Sequence, residues 1–356
     1  MTTTEATEKH PKGLMTLFFS EMWERFCYYG MRTLLTLFLV KSLLMGDKEA
    51  SLIYGAYTGL VYAAPILGGR MADKYLGYRY AVMLGAVLMA IGEFLILGES
   101  KEFLLIGMGA LIIGNGYFKA NISTIVGKLY EENDPRRDSG FTIFYMGINM
   151  GALFATLLCG YLGETYGWGY GFGAAGIGMA LGLIVFQMGQ PYLLGYAEPQ
   201  NAQLLKEKLA LGINREWIIY LAATASLYLI WHIIQSSHLV ELLLNSLSLL
   251  VIAGILYFIL QKCDKVERGR MLVMMILIFS TVVFWALFEQ SAASMTLFAD
   301  RVTDRNLWGL ELTASQFGSF NSAFIILLAP VFASLWIYLG RRKWEPSIPV
   351  KFAMGI

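Results

Sequence analysis

The chain has 356 residues, of which 57% are hydrophobic and only 15% are charged, and its mean hydropathy is +0.57. This composition is typical of a multi-pass membrane protein and excludes an ordinary soluble domain. The net charge of +1 gives no indication of a nucleic-acid partner, and no run of basic and aromatic residues suggests one. The three cysteines lack the spacing of a metal site, so we expect no metal and no cofactor.

Ten apolar segments follow one another along the chain, and each is long enough to cross a bilayer as a helix. We place them at 14–40, 51–69, 80–98, 103–126, 139–163, 169–188, 217–234, 239–260, 271–299 and 317–339. With the N-terminus in the cytoplasm, 18 Lys and Arg residues fall in inner loops and 5 in outer loops. Because cytoplasmic loops carry an excess of positive charge, this bias supports the helix count and the orientation. We therefore predict a multi-pass protein of the plasma membrane with a cytoplasmic N-terminus.

The order of these segments predicts four regions in an all-α membrane protein. Six helices form an N-terminal bundle at 1–189, and a polar cytoplasmic linker follows at 190–216. The stretch 198–208 within this linker has the pattern of a short amphipathic helix. Two further helices occupy 217–262, and the last two occupy 263–356.

The first segment carries four charged residues on one side of its helix. At about 100° per residue, a single face contains Glu21, Glu24, Arg25, Tyr28, Tyr29 and Arg32. A charged side chain at mid-bilayer costs ~3 kcal/mol or more unless it is paired or hydrated. We therefore predict that this face borders a polar, partly hydrated cavity in which the charges compensate one another. The alternative is an interfacial helix whose charges reach the lipid headgroups.

Polar residues also lie inside other segments. Lys119 needs a carboxylate partner, and the nearest candidates are on the first helix. Glu289 lies either well inside the ninth segment or at its outer end. Asn149 is a candidate either for binding or for hydrogen bonds between helices. Tyr62 and Asn321 are likewise either binding or packing residues.

The loop between the second and third segments combines glycines with charged residues. It contains Gly69, Asp73, Lys74, Gly77 and Arg79. Glycine permits tight turns, and charged side chains can cap helix ends or form a network at the cytoplasmic surface. We interpret this loop as a gating or folding device and not as a substrate site.

Several of these stretches resemble the signatures of the proton-dependent oligopeptide transporters. The motif Glu21-x-x-Glu24-Arg25 resembles the ExxER signature of that family, and 144–151 resembles its second signature. The stretch 284–290 is similar to the seventh core helix, and 69–77 is similar to a loop motif of the wider major facilitator superfamily. The first motif is highly specific, and the similarity covers nearly the whole chain.

This resemblance implies a major facilitator superfamily fold, in which two six-helix bundles enclose the substrate. The N-terminal bundle is complete here, and the seventh and eighth helices resemble the extra pair of prokaryotic members. The C-terminal bundle is incomplete because it has only two helices, so we expect the natural chain to continue past Ile356. The resemblance further implies proton-coupled symport of di- and tripeptides by alternating access, with peptides, protons and the lipid bilayer as partners and no enzymatic activity.

The resemblance also implies roles for individual residues, none of them catalytic. The expected substrate-binding residues are Tyr28, Tyr29, Arg32, Tyr62, Lys119, Asn149, Trp285, Glu289 and Asn321. The expected proton-coupling residues are Glu21, Glu24, Arg25, Lys119 and Glu289. In this scheme Arg32 and Lys119 bind the peptide carboxylate, and Glu289 is the main proton site.

Three other interpretations of the function are considered. A family member that carries nitrate or another small anion would use the same cations, although the paired glutamates favour proton-coupled peptide transport. The second interpretation is a truncated form of a transporter that has no transport activity. An intramembrane enzyme is the third, and it is disfavoured because the sequence has no Ser/His or Cys/His pair, no HExxH and no paired aspartates.

Overall fold

The structure is a computed structural model that describes residues 9–209 and 212–355. Its long helices are α1 (Gly13–Leu37), α2 (Asp47–Met71), α3 (Gly77–Ile96), α4 (Lys101–Lys128), α5 (Arg137–Tyr166), α6 (Trp168–Met188), α8 (Arg215–Ile234), α9 (Ser237–Lys262), α10 (Lys265–Phe288) and α12 (Ser319–Arg341). The short helices are α7 (Ala202–Lys206), α11 (Ser294–Arg301) and α13 (Ile348–Gly355). A small antiparallel hairpin pairs β1 (Asn306–Leu307) with β2 (Leu310–Glu311).

The ten long helices coincide with the ten predicted segments. Eight helical stretches of the described chain are long and apolar enough to cross a membrane, and one of them, 47–96, contains both α2 and α3. α1 has the required length but carries four charged residues. The chain is therefore an all-α, multi-pass membrane protein, as the composition predicts.

Two predicted helices differ from those observed. The ninth segment was expected to be continuous over 271–299, but α10 ends at Phe288 and a 3-10 turn at Glu289–Ala292 separates it from α11. The backbone leaves the helical region at Ala293, with φ −118° and ψ −103°. The expected linker helix over 198–208 is only the five residues of α7.

The predicted loop between the second and third segments is also largely helical. α2 continues through a π-helical turn at Ala72–Leu76, and the chain changes direction only at Gly77, whose φ is +72°. A Cβ atom on Gly77 would lie 2.5 Å from Cα of Pro199 in the linker. Both the positive φ and the close approach therefore require glycine at this position.

Close packing of α5 against α1 fixes the position of the charged motif. A Cβ atom on Gly151 would lie 2.2 Å from the carbonyl oxygen of Met22 and 2.9 Å from Cβ of Arg25. Only glycine permits the two helices to approach this closely, which is a common use of small residues in membrane proteins. The other faces of α1 contact α6 and α4, so this helix lies inside the six-helix bundle.

Candidate functional site

A buried ion pair joins α1 to the end of α10. The Nη2 atom of Arg32 donates a hydrogen bond of 2.6 Å to Oε2 of Glu289. The Nε atom of Arg32 donates to the hydroxyl of Tyr54 at 2.7 Å, and that hydroxyl lies 3.3 Å from the same carboxylate oxygen. Tyr62 donates a longer bond of 3.5 Å to Oε1 of Glu289. Three residues of the first two helices thus converge on the carboxylate of the residue that directly follows α10.

The sequence left two positions open for Glu289, inside a membrane helix or at a helix end, and the structure shows features of both. Glu289 is the residue that directly follows α10, so it lies at a helix end. Its side chain nevertheless points toward the interior, where it meets Arg32, whose exposed fraction is only 3%. A 3-10 turn begins at Glu289, and at this point the carboxylate reaches the buried guanidinium of Arg32 on α1.

A cavity of about 580 Å³ lies beside this ion pair, between α2 and the end of α10. Its walls include the hydroxyl-bearing side chains of Tyr54, Thr58 and Tyr62 on one side. Trp285 and Glu289 contribute to the opposite wall. Cavities of roughly 300–1,000 Å³ with a few polar groups are typical sites for small ligands. The lining combines aromatic faces, hydroxyl groups and one carboxylate.

A second charged network lies within the first bundle, between α1 and α4. Arg25 donates to both carboxylate oxygens of Glu24, and Asn115 donates to Oε1 of Glu24 at 3.0 Å. Lys119 Nζ lies 2.5 Å from Oε1 of Glu21. The expectation that Lys119 pairs with a carboxylate of the first helix is thus met by Glu21.

The environment of this network corrects one prediction. Glu21 and Glu24 are completely inaccessible, and Arg25 is also buried, so this part of α1 does not border a hydrated cavity. Each carboxylate instead has a basic partner and α4 covers the pair, which reduces the cost of burying the charges.

Tyr28 connects the two charged groups without facing the cavity. Its ring lies 4.9 Å from the guanidinium of Arg25 and 6.0 Å from that of Arg32. It also stacks on Tyr57, and its exposed fraction is 2%, so the expectation that Tyr28 lines a cavity is wrong for this conformation. Tyr29 is less buried and places its ring 5.7 Å from the Arg32 guanidinium.

Of the remaining predicted binding residues, two line the cavity and two do not. Tyr62 and Trp285 are exposed and line the cavity. Asn149 is buried, and its amide donates to the carbonyl of Tyr145 in its own helix at 3.1 Å. Asn321 is exposed near the start of α12.

Reasoning from the sequence missed two residues of these networks, Asn115 and Tyr54, and one further buried carboxylate, Glu93. Asn115 could have been found because it precedes Lys119 by four residues and shares its helix face. Tyr54 gives no such signal, because its partners lie on other helices. Glu93 lies outside both networks and is completely inaccessible, and one of its oxygens accepts from the Cys27 thiol at 3.6 Å.

Charged contacts close the end of the molecule at which α1 ends and α2 begins, here called the closed end. They are Lys41–Asp300 at 2.5 Å, Asp47–Arg301 at 2.6 and 2.8 Å, and Glu164 with the backbone N–H of Ser315 at 2.7 Å. Thr33 and Thr36 add hydrogen bonds to the carbonyl oxygens of Ser315 and Ala292. All of these contacts join the first six helices to the segment 289–316.

The predicted gating residues lie near the opposite end, against the linker. Tyr78 donates to Asp73 at 2.8 Å, and the ammonium of Lys74 lies over the Tyr75 ring at 5.1 Å. Arg79 pairs with Glu198 of the linker at 2.8 Å. A Cβ atom on Gly69 would make only ordinary van der Waals contact, at 3.6 Å from Cβ of Ala120 in α4.

Comparison with known proteins identifies the chain. The family model described as the POT family matches residues 79–356. The chain belongs to the POT family. Consistent with this membership, it is a transporter and not an enzyme.

Three similar proteins are informative. The chain is 41% identical over 362 residues to the uncharacterized transporter YclF of Bacillus subtilis (strain 168), covering 98% of this chain and 71% of that protein. It is 38% identical over 374 residues to the peptide transporter YePEPT of Yersinia enterocolitica subsp. palearctica serotype O:3 (strain YE-P4), with the same coverage. A crystal structure of the peptide transporter POT in complex with sulfate superimposes with a TM-score of 0.82 at 35% identity, covering 99% of this chain and 73% of that one.

Proposed function

We propose that this protein is a proton-coupled symporter of di- and tripeptides that works by alternating access. The observation that carries the proposal is the Arg32–Glu289 ion pair beside the 580 Å³ cavity. Such a pair can be opened by a proton on the carboxylate and by the carboxylate of an incoming solute. Membership of the POT family and similarity to a protein named as a peptide transporter support peptides as that solute.

The chemistry of the cavity suits a zwitterionic peptide. The guanidinium of Arg32 would bind the peptide carboxylate through paired N–H donors. Tyr62 and Trp285 would contact side chains through their aromatic faces, which tolerate many side-chain shapes. Asn149 and Asn321 would hold the amino group after a conformational change brings them to the peptide.

Proton coupling would depend on competition at Arg32. A proton on Glu289 removes the negative charge that holds the guanidinium, so Arg32 becomes free to bind the peptide. Proton and peptide would then promote each other's binding, and thermodynamics requires this effect to be reciprocal. Once Lys119 is released from its ion pair with Glu21, it would help to bind the peptide carboxylate. The buried Glu24–Arg25 pair would connect this exchange of partners to gating.

The conformation described here represents one step of that cycle. With the N-terminus in the cytoplasm, the closed end faces outward, so the cavity would open toward the cytoplasm. The N-terminal bundle at 1–189 would rock against the helices of 263–356, a mechanism common to transporters built from two bundles. The linker at 190–216 and the helix pair at 217–262 would lie outside this movement. We place the protein in the inner membrane of a bacterium.

Uptake by proteoliposomes tests the proposal. The purified protein should accumulate a labelled dipeptide when the outside is acidic, and a protonophore should abolish accumulation. Unlabelled tripeptide should compete, whereas nitrate should not. Accumulation of nitrate in place of dipeptide would favour an anion carrier, and no accumulation of either would contradict both functions.

Glu289→Gln tests the coupling step. The amide cannot exchange a proton, so gradient-driven accumulation should be lost. Exchange of labelled for unlabelled dipeptide should persist, because exchange requires no proton cycle. If Glu289→Gln retained gradient-driven accumulation, the coupling site would lie elsewhere, with Glu21 and Glu24 as the next candidates.

A further inference from the structure

Tyr54 occupies a position that its sequence context does not reveal. Its exposed fraction is 4%, and its hydroxyl lies between the two partners of the central ion pair. The hydroxyl accepts a hydrogen bond from Nε of Arg32 at 2.7 Å and donates to Oε2 of Glu289 at 3.3 Å. Its ring centroid is also 5.7 Å from the guanidinium carbon. Tyr54 therefore contacts both members of the pair.

The two oxygens of Glu289 have different environments. Oε2 accepts from Arg32 Nη2 and from the Tyr54 hydroxyl, whereas Oε1 accepts only the 3.5 Å bond from Tyr62 among the described contacts. Tyr62 is more than half exposed in the cavity, so Oε1 lies on the more accessible side of the carboxylate. A proton arriving from the cavity would therefore form its O–H bond at Oε1.

The other titratable and charged groups near the pair are few. α1 contributes Tyr28 and Tyr29, whose rings lie beside the Arg32 guanidinium. α2 contributes Tyr54 and Tyr62. Among these groups, the formal charges that face each other are those of the Arg32 guanidinium and the Glu289 carboxylate.

We propose that Tyr54 is a positioning residue that holds Arg32 in place when Glu289 is protonated. Protonation at Oε1 neutralises the carboxylate and weakens its bond to Arg32 Nη2. The bond from Arg32 Nε to Tyr54 does not depend on that charge, so the guanidinium stays beside the cavity. Nη2 is then available to the carboxylate of the substrate. This role rests on the proposed proton-coupled transport.

Tyr54→Phe should separate positioning from packing, because it removes the hydroxyl and keeps the ring. Arg32 would then lack an acceptor for Nε and could turn both Nε and Nη2 toward Glu289 as a bidentate pair. The tighter pair would resist both proton and peptide. We expect the KM for dipeptide uptake to rise about tenfold, which corresponds to ~1.4 kcal/mol of lost binding free energy. The pH profile of uptake should move to more acidic values.

Tyr57→Phe is the matched control. Tyr57 lies one turn further along α2, is completely buried, and its hydroxyl has no hydrogen-bond partner among the described residues. The substitution makes the same chemical change on the same helix, so KM and the pH profile should match those of the unmodified protein.

If Tyr54→Phe folds poorly, Tyr54→Gln and Tyr54→Met form a second pair. Only Gln supplies an acceptor, so its pH profile should lie nearer to that of the unmodified protein.

The outcomes distinguish this inference from the proposed function. An acid shift with raised KM in Tyr54→Phe, and neither in Tyr57→Phe, would support the positioning role. An unchanged KM and pH profile in Tyr54→Phe, with an active unmodified protein, would overturn the positioning role alone. Equal changes in both variants would indicate a packing effect and would also overturn it. An unmodified protein without gradient-driven dipeptide uptake would overturn both the proposed function and this role.

Discussion

Two arginines on the same face of α1 have different surroundings, and this difference predicts different functions. Arg25 is held by Glu24 and Glu21 inside the first bundle. Arg32 lies beside the cavity and pairs with Glu289. The first arginine is therefore committed to contacts within one bundle, whereas the second can exchange a carboxylate of the protein for one of the substrate.

Arg32→Ala should abolish dipeptide binding, because it removes the cation that a peptide carboxylate would contact. Arg25→Ala should leave equilibrium binding within a few-fold and impair gradient-driven uptake. Binding by isothermal titration calorimetry and uptake by proteoliposomes measure the two effects separately. An equal loss of dipeptide affinity in both variants would contradict this division of roles.

Two buried glutamates provide a second contrast at the residue scale. Glu24 is paired with Arg25, whereas the described contacts of Glu93 include no basic side chain. Removing one partner of a buried ion pair costs about 3–5 kcal/mol, because the other charge stays buried and uncompensated. An isolated carboxylate gives no such stabilisation, since burying its charge is itself costly.

Glu24→Gln should therefore lower the thermal unfolding midpoint in detergent, and Glu93→Gln should leave it unchanged or raise it. The two substitutions are chemically identical, so each is the control for the other. A large destabilisation by Glu93→Gln alone would show that Glu93 has a stabilising partner as a carboxylate.

The helices could be predicted from the sequence more completely than the contacts between them. The lengths of the apolar segments predicted all ten long helices, because a helix must contain about 20 mostly apolar residues to cross a bilayer. The end of α10 at Phe288 could not be predicted, because neither glycine nor proline marks the break. The role of Tyr54 could not be predicted either, since its partners are brought together only when α1, α2 and α10 pack.

The glycine-dependent contact between α1 and α5 yields a prediction at the scale of these elements. Gly151→Ala would place a methyl group 2.2 Å from the carbonyl oxygen of Met22, so α5 must move away from α1. Overpacking of this kind costs about 1–3 kcal/mol and would also shift Arg25. We expect a lower thermal unfolding midpoint and reduced uptake. Gly254→Ala on α9 is the control, because its new methyl group would meet no atom within 4 Å.

At the scale of the whole molecule, the closed end determines which side of the membrane reaches the cavity. Its ion pairs include exposed side chains, and pairs of this kind contribute only about 0–1 kcal/mol each. Such weak contacts are suited to a transporter, because a strongly bonded end would trap a single conformation. The sequence predicted 5 Lys and Arg residues in the outer loops, but it could not show that Asp47 and Arg301 meet.

Reversing the charge of one partner should open this end. Asp47→Arg replaces an attraction to Arg301 with a repulsion, which should shift the population toward the conformation open on that side. A cysteine at position 290, which lines the cavity, should then react several times faster with a membrane-impermeant thiol reagent in a Cys263→Ser background. Adding Arg301→Asp should restore the slow rate. Glu49→Arg is the matched control, because Glu49 pairs at 3.7 Å with Lys101 inside the first bundle. If Asp47→Arg and Glu49→Arg reacted equally fast, the Asp47–Arg301 pair would not hold this end closed.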